Sequence, residues 1–383
     1  MTTQTPSHAT AEGTRRYAAR FAATAAAGHF REPVGCGTPS EGAPLLSSMG
    51  IGTYLGEADD ATDKAYTAAV IAAVEGGINV ADTAINYRYQ RSERSIGAAL
   101  RELAARGFAR DEIVVCTKGG FLTTDGEMPG DGDAHAYLER EYLNSGILEA
   151  KDVAAGCHAM SPAFLADQLE RSRKNLGVDC VDIYYLHNPE TQLDEVPRED
   201  FNRRLRAAFA FLESACGAGK IRFYGAATWN GFRQAPGAKD LLSLAAMETL
   251  AREVGGSAHH FRFVQLPFNL AMTEALTRAN QEIHGPPVMM IEAAEALGIS
   301  LMASASLLQG KMSRGLPKFI AEALGLRNDA ERALQFVRSS PGIKTALVGM
   351  SKVEHVRANL RLVSEPLASA EQFSRLFDRG GKR

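Results

Sequence analysis

Three ionisable side chains stand at the carboxyl ends of successive short apolar runs in this sequence. Asp82, Lys118 and His187 each end a run rich in Val and Ile, and Tyr87 follows Asp82 by five positions. If the runs are neighbouring parallel strands, about 5 Å apart, their carboxyl ends meet at one edge of the sheet. The spacing therefore predicts one site that combines a carboxylate, a phenol, an ammonium group and an imidazole.

This combination suits the reduction of a carbonyl group by hydride, because the alkoxide that forms needs an acid to protonate it. A phenol with a pKa of about 10 is a weak acid, and we expect the Lys118 ammonium to lower the pKa of Tyr87. We expect Asp82 to keep Lys118 charged and in place. His187 is expected to donate a hydrogen bond to the substrate oxygen.

Each of these residues also has an ordinary structural interpretation. Alone, Asp82 would indicate a helix or turn cap, Lys118 a solvated loop residue and His187 the end of a strand. Tyr89, two positions after Tyr87, is a second candidate for the phenol. The appearance of all four groups in order at predicted strand ends favours the catalytic interpretation.

From residue 45 onward, short apolar runs alternate with segments of helical periodicity. The predicted strands are residues 46–51, 78–81, 113–117, 181–186, 221–226, 263–266, 299–303 and 345–348. The predicted helices include residues 62–75, 93–106, 162–176, 201–218 and 329–338. Such β/α units without a composition break predict a (β/α)8 TIM barrel over residues 45–383. A doubly wound sheet is disfavoured, because no G-x-G-x-x-G follows the first strand.

Three segments do not fit the bare barrel. The N-terminal arm, residues 1–44, is expected to be mobile or to form a short added helix. Residues 122–160 follow the third predicted strand, and residues 311–326 follow the seventh. Both should lie over the carboxyl ends of the strands, where barrel active sites are built. We expect the long insertion, residues 122–160, to cover the substrate.

The bulk composition excludes several classes of protein. The 383 residues carry a net charge of −3, which does not indicate a nucleic-acid partner. No apolar run reaches the roughly 18 residues that span a membrane. The five cysteines form no C-x-x-C pair, so we predict no metal site and reduced thiols in a cytoplasmic protein. The sequence carries no signal for an oligomeric state.

The motifs around the four residues resemble those of the aldo/keto reductase family. The stretch from Asp82 to Tyr87, followed by Ser92-Glu93, resembles the family's aspartate and tyrosine signature, and the strands ending in Lys118 and His187 resemble its lysine and histidine strands. The resemblance runs from about residue 45 to residue 363. It implies NADPH-dependent reduction of an aldehyde or ketone to an alcohol, with Tyr87 as the proton donor.

The resemblance also implies where NADPH binds. The positions matching the family's nicotinamide end are Gly52, Thr53, Asp82, Thr228, Gln265 and Ser304. Those matching its adenosine end are Gly349, Ser351, Lys352, His355 and Asn359. A lysine and a histidine where a last helix begins favour a phosphate, and hence NADP over NAD. Tyr54 and Trp229 are expected to bind a small-molecule carbonyl substrate, although Trp229 packed beneath a loop is an equal alternative.

Two positions depart from the family pattern. Thr228 stands where a Ser-Asn pair usually holds the carboxamide, and Ser304 stands where an aromatic ring usually stacks on the nicotinamide. These changes leave open a second function, that of a cofactor-binding regulatory or interaction subunit. The long insertion and the N-terminal arm leave open a third, a biosynthetic tailoring enzyme, such as a keto-sugar reductase or a dehydratase that uses the same acid and base groups.

Overall fold

The computed structural model describes residues 6–37, 42–127, 130 and 133–377. Its centre is a closed barrel of eight parallel strands, in which each strand pairs with the next and the last pairs with the first. The strands are β1 (Met49–Gly52), β2 (Val80–Asp82), β3 (Val114–Gly119), β4 (Val181–His187), β5 (Ile221–Ala227), β6 (Phe261–Pro267), β7 (Ser300–Ser304) and β8 (Ile343–Gly349). The predicted (β/α)8 barrel is confirmed.

Helices surround the barrel and connect its strands. They are α1 (Ala11–Ala19), α2 (Asp60–Glu75), α3 (Arg91–Ala105), α4 (Asp133–Leu138), α5 (Pro162–Leu176), α6 (Arg198–Gly217), α7 (Leu244–Gly255), α8 (Glu274–Thr277), α9 (Met290–Ala296), α10 (Lys318–Leu324), α11 (Asp329–Ser339), α12 (Val353–Leu360) and α13 (Ala370–Ser374). In the described part of the chain, none of these helices is long and apolar enough to cross a bilayer.

Apolar side chains on both faces of the strands hold the barrel together. One buried cluster lies between the strands and the helices. A second cluster includes Val80, Cys116, Ile183 and Phe263, which project from four different strands. This arrangement explains why the strand sequences show little alternation between apolar and polar residues, since both faces are buried.

The first predicted strand is the one that the structure divides. Residues 46–51 were expected to be continuous, but Leu46–Ser47 pairs antiparallel with Phe30–Arg31, and only Met49–Gly52 enters the barrel. The break comes at Ser48, whose N–H donates to the carbonyl of His29 at 2.6 Å. A distant partner therefore redirects an apolar run that looks uniform in sequence.

The described residues of the N-terminal arm pack against the amino ends of the strands. The N–H of Ala9 donates to Oδ1 of Asp182 in β4 at 2.6 Å, and the hydroxyl of Tyr17 donates to the carbonyl of Val74 at 2.6 Å. Ala9, Cys36 and Ala43 belong to the same buried cluster as the barrel residues. The arm thus closes the mouth of the barrel opposite the predicted site.

Candidate active site

A cleft of about 950 Å³ lies over the carboxyl ends of the strands. That volume falls within the range of ordinary ligand pockets. Most of the predicted site residues line it: Gly52, Thr53, Tyr54, Asp82, Tyr87, His187, Thr228, Trp229, Gln265, Ser304, Gly349, Ser351, His355 and Asn359. The rival phenol, Tyr89, is not among the lining residues.

Asp82 and Lys118 form a buried ion pair beneath the cleft. Nζ of Lys118 donates to Oδ2 of Asp82 at 2.6 Å and to the carbonyl of Thr83 at 2.7 Å. Neighbouring strands place them, because β2 ends at Asp82 and pairs with β3, which carries Lys118. Burial lowers the pKa of Lys118, but the Asp82 carboxylate and Tyr87 outweigh burial and leave that pKa above its ordinary value. Lys118 is therefore charged at neutral pH.

Tyr87 lies in the loop after β2, directly above this pair. Nζ of Lys118 is 4.8 Å from the centre of the Tyr87 ring. Burial raises the pKa of Tyr87 above its ordinary value, and Lys118 lowers it as expected but offsets burial only in part. Desolvation of the phenolate thus outweighs the nearby cation. The phenol therefore keeps its proton at neutral pH.

His187 completes the group at the end of β4. Its ring packs edge-to-face on Tyr87 at 5.7 Å and on Phe121 at 5.0 Å between ring centres. Burial lowers the pKa of His187 well below its ordinary value, and the charge on Lys118 lowers it further. The imidazole is therefore neutral. Its Nδ1 atom is buried and has no hydrogen-bond partner among the described residues.

Gln265 forms a contact that the sequence did not indicate. The family resemblance matched it to the nicotinamide end of the cofactor site, but its Nε2 donates to Oδ1 of Asp82 at 2.7 Å. Both carboxylate oxygens of Asp82 are thus occupied, one by Lys118 and one by Gln265. Because β6, which carries Gln265, lies across the barrel from β2, only the closed barrel brings these two side chains together.

A buried carboxylate shapes the turn after β5. Oε1 of Glu190 accepts the N–H groups of Trp229, Asn230 and Gly231 at 2.7, 3.0 and 3.1 Å. This turn presents Thr228 and Trp229 to the cleft. The Thr228 hydroxyl is buried without a partner among the described residues, whereas Trp229 is 44% exposed. Trp229 therefore borders the cleft instead of packing beneath a loop.

The opposite end of the cleft departs from expectation at one residue. Ser351, His355 and Asn359 line it, but Lys352 does not. Lys352 is the N-cap residue of α12 and is exposed. Glu331 also lines this end, and its carboxylate is paired with Arg361 at 2.9 Å. Lys352 thus stands at the amino end of α12, next to Ser351, without forming part of the cleft lining.

Several lining residues were missed by the sequence analysis: Leu55, Tyr66, Asn86, Phe121, Asn188, Leu307, Leu308, Gln309, Gly310, Ser313, Asn328 and Glu331. Most of them lie in loops that follow barrel strands, which is the signal that was available. Conversely, none of the described residues of the insertion 122–160 lines the cleft, so the expectation that it covers the substrate is wrong for them. It packs instead around Tyr142 and Phe164.

Within the described ranges, no group of three or more His, Cys, Asp or Glu side chains is arranged to hold a metal ion. The buried polar atoms that lack partners at the cleft, including Nδ1 of His187 and the Thr228 hydroxyl, suit an organic ligand that forms hydrogen bonds.

The chain aligns with characterised oxidoreductases over part of its length. It is 29% identical over 186 residues to aldo-keto reductase AMT2 of Alternaria alternata, covering 48% of this chain and 46% of that protein. It is 32% identical over 173 residues to D-threo-aldose 1-dehydrogenase of Pseudomonas sp, covering 43% of each. It is 29% identical over 192 residues to the NADH-specific methylglyoxal reductase of Escherichia coli, covering 48% of each. The chain thus spans less than half the length of these relatives.

Solved structures share the fold along nearly the whole chain. An aldo/keto reductase from Klebsiella pneumoniae, crystallised with NADP and acetate, superposes with a TM-score of 0.58 at 20% identity and covers 91% of this chain and 95% of that one. The glycerol dehydrogenase of Gluconobacter oxydans gives a TM-score of 0.59 at 19% identity and covers 92% and 95%. The family model of the aldo/keto reductases matches residues 48–378. Because this match includes all the barrel strands, the chain belongs to the aldo/keto reductase family.

Proposed function

We propose that this protein reduces an aldehyde or ketone to an alcohol with NADPH, and that Tyr87 donates the proton. The observation that carries the proposal is the position of the Tyr87 ring. It lies 4.8 Å from Nζ of Lys118 and 5.7 Å from the His187 ring, at the floor of the cleft. A protonated phenol, a charged ammonium and a neutral imidazole thus surround one point.

Each side chain has a separate task at that point. Tyr87 holds the proton that the substrate oxygen receives, and Lys118 stabilises the phenolate that remains. Asp82 keeps Lys118 charged without contacting the substrate. His187 donates a hydrogen bond to the carbonyl oxygen and so fixes its direction. The reduced nicotinamide, when bound, supplies the hydride.

We expect a dinucleotide to lie along the length of the cleft. Gly52, Thr53 and Thr228 are available at the end near Tyr87, and Ser351, His355 and Asn359 at the far end. The Thr228 hydroxyl has no partner within the described ranges and suits the carboxamide. Ser304 lines the cleft without an aromatic ring, so we expect the nicotinamide to be held by hydrogen bonds more than by stacking.

We propose NADPH as the preferred nucleotide. The amino end of α12 attracts a phosphate through its unpaired N–H groups and its dipole, and Lys352 and His355 lie at that end. The negative charge of Glu331 is offset by its ion pair with Arg361. The structure of the Klebsiella relative contains NADP, while the Escherichia coli relative is NADH-specific by name. Titration of intrinsic fluorescence with both nucleotides measures the preference.

Aromatic side chains form the substrate end of the cleft. Tyr54 packs edge-to-face on Tyr87 at 4.9 Å between ring centres and is 56% exposed. Phe121 and Trp229 form other parts of this wall. We propose that a small carbonyl compound enters between these rings, with its oxygen directed toward Tyr87 and His187.

The decisive experiment is a panel of aldehydes, ketones and diketones read by the loss of NADPH absorbance. Turnover of at least one carbonyl supports the proposal. Tight NADPH binding with no turnover of any of them would instead favour a cofactor-binding regulatory subunit. Mass analysis of the product separates plain reduction from a dehydration that uses the same acid.

A further inference from the structure

His158 lies near the end of the insertion and contacts the active site from outside the cleft. It is 1% exposed and is not among the cleft-lining residues. The backbone around it pairs with the segment that follows β3, since the N–H of Ala159 donates to the carbonyl of Gly120 at 2.8 Å. A Cβ on Gly120 would lie 2.8 Å from Nε2 of His158, so only glycine leaves room for this ring.

The hydrogen bonds of the His158 ring determine which nitrogen carries the proton. Arg204, which has only donors, bonds Oε1 of Gln192. This orients the Gln192 amide so that its Nε2 donates to Nδ1 of His158 at 2.9 Å. Nδ1 must therefore be the acceptor. The hydrogen lies on Nε2, which donates to the carbonyl oxygen of His187 at 2.7 Å.

Burial keeps this arrangement in a single protonation state. It lowers the pKa of His158 to about 4, so the ring is neutral at pH 7. Phe121 lies between the two histidines, at 5.1 Å from the His158 ring and 5.0 Å from the His187 ring, and is nearly perpendicular to both. The backbone and the ring of His187 are thus each held from the insertion side.

His187 has no such support from its own ring nitrogen. Its Nδ1 is buried without a partner among the described residues, so no side-chain hydrogen bond at that atom sets the ring orientation. The next residue, Asn188, has a left-handed backbone with φ of 47°, a conformation that asparagine adopts more readily than most residues other than glycine.

We propose that His158 is a positioning residue, which holds the His187 carbonyl through its Nε2–H group and thereby aims the His187 imidazole at the substrate oxygen. This inference rests on the proposed function, because it takes His187 as the group that orients the carbonyl. It also gives the insertion 122–160 a role, since the insertion supplies the support behind His187 instead of a lid over the substrate.

Three variants test the proposal by kinetics. His158→Leu fills the site but removes the donor, and a displacement of about 1 Å at a catalytic group costs up to about 100-fold in rate. We expect kcat to fall about 10- to 100-fold, with the Kd for NADPH changed less than about twofold. His158→Gln retains an N–H donor and should recover most of kcat. His135→Leu is the matched control, because His135 is exposed in the same insertion, and it should behave like the parent.

Equal kcat values for His158→Leu and the parent would overturn the proposal. If His158→Leu does not fold, Gln192→Leu takes its place, since it removes the group that sets the His158 proton. A kcat for Gln192→Leu equal to the parent value would overturn the proposal as well.

A spectroscopic readout is independent of turnover. In ¹⁵N-histidine-labelled protein, we expect His158 to be neutral with its proton on Nε2, and the His187 ring signals to shift in His158→Leu but not in His135→Leu. A proton on Nδ1 of His158 in the parent would overturn the inference. A parent protein that turns over no carbonyl would instead refute the proposed function, so the two failures are distinguishable.

Discussion

Nζ of Lys118 lies 2.6 Å from Oδ2 of Asp82 at a place where the two side chains are 1% and 6% exposed. A charge pair so well removed from water is costly to break, because the remaining ion has neither a partner nor solvent. The pair links two neighbouring strands at the floor of the cleft, so it bears on the stability of the barrel.

Replacing Asp82 by Asn should therefore destabilise the fold. We expect the free energy of unfolding, measured by urea denaturation, to fall by about 3–5 kcal/mol. The matched control is Glu371→Gln, which breaks an exposed pair with Arg375 on α13 and should change stability little. A loss for Asp82→Asn no larger than that of the control would contradict this account of the buried pair.

Tyr87→Phe removes the hydroxyl and leaves the ring in its packing. General acid catalysis contributes about 10²–10⁴-fold, and kcat should fall by that amount. The Kd for NADPH, measured by fluorescence titration, should stay near the parent value. Tyr89→Phe is the control, since Tyr89 does not line the cleft. If the Tyr89 variant lost turnover and the Tyr87 variant kept it, Tyr89 would be the proton donor and Tyr87 would not.

Acid should weaken the fold through two buried histidines. Burial lowers the pKa of His29 and of His158 to about 4. An unfolded histidine binds a proton as the pH falls below about 6.5, whereas these two folded histidines stay neutral until about pH 4. Their contribution to the free energy of unfolding is therefore fully present above about pH 6.5 and is lost as the pH falls to about 4. The difference between the folded and the unfolded pKa corresponds to about 3 kcal/mol of stability for each ring.

Urea denaturation at several pH values between about 4.5 and 7.5 gives the slope of the free energy of unfolding against pH. His29→Gln and His158→Gln should each flatten it. His135→Gln is the control, because His135 is exposed and its replacement removes an imidazole without opening a buried position. If the slope were the same in the parent and in both buried-site variants, these two rings would be excluded as the cause of the loss of stability in acid.

Lys352→Ala tests the nucleotide preference. The Lys352 side chain is exposed at the N-cap of α12, so its attraction for a phosphate is screened by water and is worth roughly 1 kcal/mol. We expect the Kd for NADPH to rise about fivefold while that for NADH stays unchanged. Arg357→Ala, an exposed site on the same helix, should affect neither. A similar loss for both nucleotides would remove Lys352 from phosphate recognition.

The barrel and the convergence of Asp82, Lys118 and His187 were accessible from the sequence because both depend on local patterns. A run such as Val181–His187 is apolar on both faces, and this alone indicates a strand buried in a parallel sheet. Asp82, Lys118 and His187 end their strands, and parallel strands align their carboxyl ends at one mouth of a barrel. These predictions needed no knowledge of distant contacts.

The other features of the fold and of the site were decided by contacts between segments far apart in the chain. The Gln265–Asp82 hydrogen bond requires closure of the barrel, and the split of the first strand requires His29. The net pKa of Tyr87 depends on how deeply its loop is buried, which outweighs the ammonium beside it. The insertion supports His187 from behind through His158, because desolvated donors and acceptors must find partners wherever the tertiary fold offers them. Periodicity reports which face of an element is buried, whereas only the assembled chain determines what it is buried against.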